Sequence, residues 1–177
     1  MSLFIEDQLD IKINFENNFV DSNNVFKGKI IVFVPHMDDE VLGCGGTIAQ
    51  LNNKDIIYFV FATDGTKSPY SKEFDNKELN KIRINESKSA LKILGIPEKN
   101  LSFLNLPDYQ LKNYFNNLTN EYIRIIEELN PDMIFTPFRY DQHPDHIAVR
   151  NSALRAHALT NSNALLFEYF VYTNVRM

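Results

Sequence analysis

The chain has 177 residues, of which 44% are hydrophobic and 23% are charged, and this balance is typical of one globular domain. Its formal net charge of −5 provides no broad basic surface, which argues against a nucleic-acid-binding protein. A single cysteine, an acidic start without a secretory segment and the lack of any apolar run of roughly 20 residues indicate a cytoplasmic protein without disulfides or a membrane span.

The first 27 residues are predicted to form an N-terminal extension. Ile11, Ile13 and Phe15 alternate with polar residues, a pattern typical of a strand with one buried face, and a polar turn is expected at residues 21–24. The strand would be an added edge strand or a contact for a partner. Because no repeat, linker or charge block divides the remainder, residues 28–177 are predicted to form one domain.

From residue 29 onward, apolar runs alternate with stretches of helical periodicity. This alternation predicts a Rossmann-like three-layer α/β/α domain, with a mostly parallel sheet covered by helices on both faces. We expect strands at residues 30–34, 56–62, 101–105, 132–136 and 165–172, and helices at residues 44–53, 78–94, 118–129 and 146–158.

The first cluster of chemically active residues, Pro35-His36-Met37-Asp38-Asp39-Glu40, directly follows the first predicted strand. It should therefore lie at the carboxyl end of that strand, where open α/β sheets bind their ligands. The glycines of Gly43-Cys44-Gly45-Gly46 match neither a dinucleotide-binding nor a phosphate-binding loop. We expect them to pack a helix closely against the active-site loop, with Cys44 as a small buried residue.

On the predicted helix 78–94, Arg83 and Glu86 share a face, and they can form an ion pair across one turn. The second active cluster, Asp141-Gln142-His143-Pro144-Asp145-His146, follows the apolar run at 133–135 and precedes a predicted helix. It too should lie at the carboxyl end of a strand, so the two clusters can converge.

Together the clusters offer a His-x-x-Asp pair and a distant histidine, which is a ligand set for a catalytic zinc site with three protein ligands. Water at such an ion becomes a nucleophile near neutral pH, and the neighbouring Asp38 is the candidate base for its proton. The alternative is structural, since Asp38, Asp39 and Asp145 can cap helices and His143-Pro144 can form an ordinary turn.

The paired motifs resemble those of the PIG-L, or LmbE-like, deacetylase family, whose signatures are Pro/Ala-His-Pro-Asp-Asp-Glu and His-Pro-Asp-His. The similarity covers about residues 28–173 and includes Thr63-Asp64-Gly65, Leu94-Gly95-Ile96 and Leu106-Pro107-Asp108. Family members are zinc-dependent hydrolases that remove acetyl groups from N-acetylglucosamine-type amino sugars. The resemblance therefore implies an N-deacetylase whose partner is a small N-acetylated amino sugar or glycoconjugate.

The resemblance also implies roles for individual residues. His36, Asp39 and His146 would bind the metal, which is Zn²⁺ or, with the same ligand chemistry, Fe²⁺. Asp38 would be the general base, and His143 would stabilise the oxyanion or protonate the leaving amine. Arg83 and Asp108 would reach the substrate pocket, which for Arg83 is the alternative to a pair with Glu86.

One difference from the family concerns the end of the chain. The sequence ends at Met177, where relatives continue for several more elements that shape the pocket. We therefore expect a homo-oligomer that completes the pocket or a permissive enzyme. The alternative functions are a non-catalytic metal- or glycan-binding relative, and phosphoester hydrolysis at magnesium, against which the two histidine ligands argue.

Overall fold

The computed structural model describes residues 22–68 and 72–171. The chain alternates strands and helices as the sequence predicts. In order, the elements are α1 Ser22–Val25, β1 Ile30–Val34, α2 Asp39–Gln50, β2 Ile57–Thr63, α3 Asn76–Ile93, β3 Leu101–Leu106, α4 Phe115–Leu129, β4 Met133–Pro137, α5 Pro144–Leu159 and β5 Leu165–Tyr169, with 3₁₀ turns at Glu98–Asn100 and Leu111–Tyr114.

The five strands form one sheet in the order β3-β2-β1-β4-β5, and every neighbouring pair is parallel. In the central strand, Ile30 pairs with Ile57 of β2 on one side and with Met133 of β4 on the other. The chain thus winds outward from β1 in one direction and from β4 in the other. The carboxyl ends of these two strands therefore flank the crevice in which such sheets bind ligands.

Helices cover both faces of the sheet, which confirms the predicted three-layer fold. Ile30, Val32 and Val34 point to one face and pack with residues of α2 and α3, whereas Ile31 and Phe33 point to the other face and pack with α4 and α5. This alternation follows from the two-residue period of a strand. All five side chains of β1 are buried, because the strand lies between two hydrophobic layers.

Helix α2 begins at Asp39, five residues before the predicted start. Glycines in its middle weaken the helical signal of the sequence, since glycine costs about 1 kcal/mol relative to alanine in a helix. The acidic Asp39 and Glu40 in the first turn favour a helix start at this position. The metal-ligand candidate Asp39 is consequently the first residue of a helix and not a loop residue.

Gly43 serves packing, but its neighbour is the sheet and not the active-site loop that the sequence analysis expected. A Cβ atom at Gly43 would lie 2.3 Å from Cδ2 of Tyr169 in β5. Tyr169 in turn donates a hydrogen bond of 2.8 Å to the carbonyl of Phe33. The missing side chain therefore allows α2 to lie against β5. Cys44 is buried, as expected, and burial raises the pKa of its thiol.

The ends of the domain differ in detail from the predictions. The segment expected to be a polar turn forms the short helix Ser22–Val25, and the last strand ends at Tyr169. The predicted strand at residues 11–15 lies outside the described residues. Within the described ranges, no helix combines the length and apolar character needed to cross a membrane.

Candidate metal centre

The two polar clusters meet at the carboxyl ends of neighbouring strands. The first follows β1 and the second follows β4, so the pairing of these strands brings residues 36 and 146 together across 110 positions of sequence. His36, Asp39 and His146 have relative exposures of 9%, 1% and 1%. The candidate ligands are therefore enclosed by the protein, unlike carboxylates that merely cap surface helices.

Three atoms of these residues form a nearly equilateral triangle. Nδ1 of His36 and Nε2 of His146 each lie 3.2 Å from Oδ2 of Asp39. The two nitrogens lie 3.3 Å apart. These are the three residues for which the family resemblance implies metal ligation.

The size of the triangle fits a tetrahedral metal ion. Ligand atoms about 2.0–2.2 Å from one zinc ion lie about 3.3–3.6 Å from each other in a tetrahedral arrangement. The separation of 3.3 Å between the two nitrogens is at the short end of this range, and the two separations of 3.2 Å are about 0.1 Å below it. Two imidazole nitrogens and one carboxylate oxygen also suit Zn²⁺ or Fe²⁺ chemically.

Carboxylates orient both histidines from outside the triangle. Nδ1 of His146 lies 2.7 Å from Oδ2 of Asp141. Nε2 of His36 lies 3.2 Å from Oδ1 of Asp108 and 3.4 Å from Oδ2 of Asp145. When a metal is bound, such contacts would keep a proton on the outer nitrogen of each ring, so that the inner nitrogen could bind the metal. The sequence indicates a possible helix cap at Asp145 but no role for Asp141.

The centre has an excess of buried negative charge. Asp39, Asp108, Asp141 and Asp145 are all buried around the two histidines. Burial opposes protonation of His36, yet hydrogen bonds to Asp108, Asp145 and Asp39 hold its pKa well above the usual range. Burial also opposes ionisation of Asp39, but hydrogen bonds from His146 and His36 lower its pKa. A buried cluster of this kind is stabilised by a cation.

Other groupings around His36 fit a metal less well. Ligand atoms of His36, His143 and His146 lie within 4.8 Å of one another, as do those of His36, Asp108 and Asp145. However, Oδ2 and Oδ1 of Asp145 accept hydrogen bonds of 2.7 and 3.1 Å from the backbone amides of Tyr109 and Leu111. Oδ2 of Asp108 likewise accepts one of 2.9 Å from the amide of Lys67. Oδ2 of Asp39 also accepts a backbone hydrogen bond, of 2.9 Å from the amide of His36, but it differs from these carboxylates in lying 3.2 Å from nitrogens of both His36 and His146.

Asp38 stands at the start of α2 but does not cap it. It occupies the N-cap position without a side-chain capping hydrogen bond. Its backbone has φ 149° and ψ −29°, a conformation that residues other than glycine rarely adopt. Its side chain is 52% exposed, in contrast to the buried ligand candidates. The part of the carboxyl group that is shielded from water and the neighbouring Asp39 raise its pKa, while Arg83 opposes this shift.

Arg83 of α3 holds the loop that carries Asp38. Its guanidinium lies 3.2 Å from Oδ2 of Asp38 and donates hydrogen bonds to the carbonyls of Met37 and Gly65. Arg83 therefore contacts the loop that carries the candidate base. In the part of the chain that the structure describes, its ion-pair partner is Asp38, and no ion pair with Glu86 is present.

Glu40 is a buried carboxyl group that the sequence analysis did not assign. Its Oε2 accepts a 2.8 Å hydrogen bond from the amide of Asp38, and its Oε1 accepts one of 2.7 Å from the hydroxyl of Ser87 in α3. Burial raises its pKa to about 7. The sequence motif already places a glutamate directly after the candidate ligand Asp39. Its contact with Ser87 of α3 can be identified only from the fold.

His143 is the N-cap residue of α5, and the centroid of its ring lies 4.8 and 4.9 Å from those of His36 and His146. Its Nδ1 accepts a 3.2 Å hydrogen bond from the amide of Asp145, so the proton of the neutral ring is on Nε2. Burial and the nearby His36 and His146 lower its pKa. His143 is thus both a helix cap and a neutral N–H donor, which differs from the protonated ring that an acid role would need at the outset.

Comparison with known proteins supports the resemblance in the motifs. The sequence model of the PIG-L family, described as GlcNAc-PI de-N-acetylase, matches residues 31–157. A diacetylchitobiose deacetylase of Thermococcus kodakarensis is 32% identical over 143 residues, which are 78% of this chain and 50% of that protein. A probable N-acetyl-alpha-D-glucosaminyl L-malate deacetylase 2 of Bacillus cereus is 32% identical over 72% of this chain and 60% of that protein.

The same relationship is found among solved structures. The N,N'-diacetylchitobiose deacetylase from Pyrococcus horikoshii, solved with its inhibitor MPG, superposes with a TM-score of 0.71 at 26% identity. The match covers 88% of this chain and 65% of that structure. For the two curated relatives described above, the chain spans about half and about three fifths of their lengths, respectively.

Proposed function

The chain belongs to the PIG-L (GlcNAc-PI de-N-acetylase) family, and from this premise we propose that it is a metal-dependent N-deacetylase. Its substrate would be an N-acetylglucosamine-type amino sugar or a conjugate of one, since relatives are named for diacetylchitobiose and for N-acetylglucosaminyl malate. The observation that carries the proposal is the triangle of His36, Asp39 and His146, beside which lie an exposed carboxylate and an N–H donor.

His36, Asp39 and His146 would hold the metal ion, which we propose to be Zn²⁺, with Fe²⁺ as the alternative. The bound ion would supply Lewis acidity toward the acetyl carbonyl and would lower the pKa of water. The carboxylates outside the triangle keep the histidines in the required orientation. Asp108 is among them, and because it is only 3% exposed, we propose that it positions His36 more than it touches the sugar.

Asp38 would act as the general base. It is the exposed carboxylate next to the candidate ligand Asp39, and Arg83 fixes its position through the 3.2 Å ion pair. In amide hydrolysis the oxygen of water bonds to the acetyl carbon, and a proton leaves that oxygen. Asp38 would accept this proton and return it to the amine nitrogen when the C–N bond breaks, giving acetate and the free amino sugar.

His143 would stabilise the negative charge that develops on the acetyl oxygen. Its Nε2–H is a hydrogen-bond donor held in place by the Nδ1 contact with the amide of Asp145. A neutral donor that is already oriented can do this without reorganisation during the reaction. The lowered pKa of His143 agrees with a neutral ring at neutral pH.

The test is acetate release from a panel of N-acetylated amino sugars. The protein is stripped of metal with a chelator, dialysed, and assayed alone and after addition of Zn²⁺ or Fe²⁺. We expect release of acetate from at least one N-acetylglucosamine derivative, restored only by metal. Metal binding without acetate release across the panel would instead indicate a non-catalytic binding protein, and equal release with and without metal would contradict the proposed site.

A further inference from the structure

An exposed aromatic ring lies directly beside the proposed catalytic histidine. Tyr109 follows β3 in the turn that continues from Asp108, and 59% of its surface is exposed. Its ring meets the ring of His143 edge-to-face, with 4.8 Å between the centroids and 69° between the planes. Exposed aromatic rings at the mouth of a site often contact a ligand.

The backbone of Tyr109 adopts an energetically unfavourable conformation. Tyr109 has φ 66°, in the left-handed region, which bulky residues rarely adopt. Its amide donates a 2.7 Å hydrogen bond to Oδ2 of the buried Asp145. Strained conformations of this kind persist where the surrounding structure enforces them, and they cluster at ligand-binding positions. Asp145, which also contacts the ring of His36, thus fixes the backbone of Tyr109.

Among the described residues, Tyr109 differs in its surroundings from Tyr140 and Phe170, which are also exposed and follow the carboxyl ends of strands. Tyr140 and Phe170 pack against Phe138, with ring centroids 5.3 and 4.0 Å apart. Both rings therefore contact Phe138, and their exposure can be explained by this small cluster. The aromatic contact of Tyr109 is with His143, so a substrate held at His143 would lie alongside its ring.

We propose that Tyr109 is a specificity-determining residue that stacks on the sugar ring of the substrate. This inference rests on the proposed function, because the acetyl group must sit between the metal centre and His143. A pyranose has an apolar face of C–H groups, and the electron-rich face of an aromatic ring attracts such groups. The contact would favour an N-acetylated pyranose over an N-acetylated open-chain amine.

The test compares two substrates in three variants. For N-acetylglucosamine or its best conjugate, Tyr109→Ala should raise KM about 3- to 10-fold with kcat nearly unchanged, since a stacking contact is held in both ground and transition states. Tyr109→Phe keeps the ring and should behave as the parent, whereas Tyr109→Leu should resemble the alanine variant. With N-acetylethanolamine, which has no sugar ring, none of the three should change KM.

Leu159→Ala is the matched control for loss of an exposed side chain. Leu159 is 58% exposed, close to the value for Tyr109, and lies at the far end of α5 from His143. It should leave both substrates unaffected. An equal rise in KM for both substrates in Tyr109→Ala, or parental KM in Tyr109→Leu, would overturn the stacking contact.

Saturation-transfer NMR separates this inference from the proposed function. Transfer from the metal-loaded protein to the ring protons of N-acetylglucosamine does not depend on turnover. Loss of transfer in Tyr109→Ala but not in Leu159→Ala would support stacking even if no acetate were released. Acetate release by the parent together with unchanged transfer in Tyr109→Ala would instead reject the stacking contact while the deacetylase function stands.

Discussion

At the scale of single residues, the two buried histidines of the centre each have one nitrogen turned inward and one held by carboxylates. His36 uses Nδ1 inward and Nε2 outward, whereas His146 uses Nε2 inward and Nδ1 outward. Because neither ring can turn without losing its outer partner, the triangle exists before any metal binds. Such preorganisation raises metal affinity, and loss of an outer partner typically costs 10- to 100-fold.

The ligand assignment predicts different outcomes for the two histidines of the second motif. His146→Ala removes one of three ligands and should abolish stoichiometric metal binding after gel filtration. His143→Ala should retain the metal, because its accessible nitrogen carries a proton, yet slow turnover roughly 10²- to 10⁴-fold. Metal analysis of both proteins measures this. Retained metal in His146→Ala, or lost metal in His143→Ala, would reverse the assignment.

The residues of the motifs could be predicted from sequence, but their supports could not. His36 and Asp39 form a His-x-x-Asp pair after an apolar run, and the family resemblance implies His146 as the third ligand, so all three could be proposed before the structure was known. Asp141 lies five residues before His146 with a loop and a helix start between them, and only that loop places its carboxylate 2.7 Å from the ring. The spacing of residues in the sequence does not predict that the loop folds back to bring Asp141 to His146.

At the scale of secondary-structure elements, α3 controls the loop that carries the proposed base. Arg83 binds the side chain of Asp38, and Ser87, one turn later, binds Glu40, which holds the amide of Asp38. Two contacts from one helix therefore fix the unusual φ of 149° at this residue. The sequence predicted the helix and placed Arg83 on its surface, but not the second contact.

This arrangement predicts that Glu40 matters through its hydrogen bonds and not through its charge. Glu40→Ala removes both contacts and should slow turnover roughly 10- to 100-fold with metal retained, because small misplacements of catalytic groups have such effects. Glu40→Gln can accept from Asp38 and donate to Ser87, and it should remain within about threefold of the parent. Steady-state kinetics with metal analysis tests this, and equal defects in both variants would refute it.

A second contact between elements attaches the edge strand β5. Glu168 accepts hydrogen bonds of 2.9 Å from both Arg139, in the loop after β4, and Arg150 of α5. Partial burial opposes its ionisation, but the two arginines lower its pKa. A carboxylate with a lowered pKa stabilises the fold above its unfolded pKa of about 4.3, and the contribution is lost as pH falls through the folded value.

Glu168→Gln should therefore reduce the free energy of unfolding at pH 7 by about 0.5–1 kcal/mol, a value already reduced for solvent screening. The difference from the parent should shrink as pH falls below about 4. Urea melts at pH 7 and pH 3.5 measure it. Glu121→Gln, which removes an exposed pair with Arg124 within α4, is the control and should have a smaller effect. A difference that grows toward low pH would contradict the ion-pair explanation.

At the scale of the whole molecule, the metal centre joins the two halves of the sheet. His36 and Asp39 follow β1, whereas His146 follows β4, and the strand order reverses between these two strands. Alternating strands and helices in the sequence predict a parallel sheet, but they do not specify which strands become neighbours. The pairing of β1 with β4 is therefore the structural fact that turns two distant motifs into one site.

A bound metal should consequently stabilise the entire domain. At a metal concentration 100 times the dissociation constant, the linkage contributes about 2.7 kcal/mol. For a chain of this size, this corresponds to a rise in Tm of roughly 5–10 °C. Thermal unfolding with chelator and with added Zn²⁺ measures it, with His146→Ala as the control that should show no shift. A metal-independent Tm in the parent would contradict a site that bridges the two halves.

The most direct measurement of the central claim is the turnover of metal-loaded Asp38→Asn. Asparagine keeps the size of the side chain but cannot accept the proton of water. We predict a folded protein with parental metal content and parental KM that releases acetate at least about 10²-fold more slowly. The side chain of Asp38 makes no capping hydrogen bond, and an asparagine oxygen can still accept a hydrogen bond from Arg83, so a purely structural role for Asp38 would leave most of the activity intact. Near-parental turnover in this variant would contradict hydrolysis with Asp38 as the base.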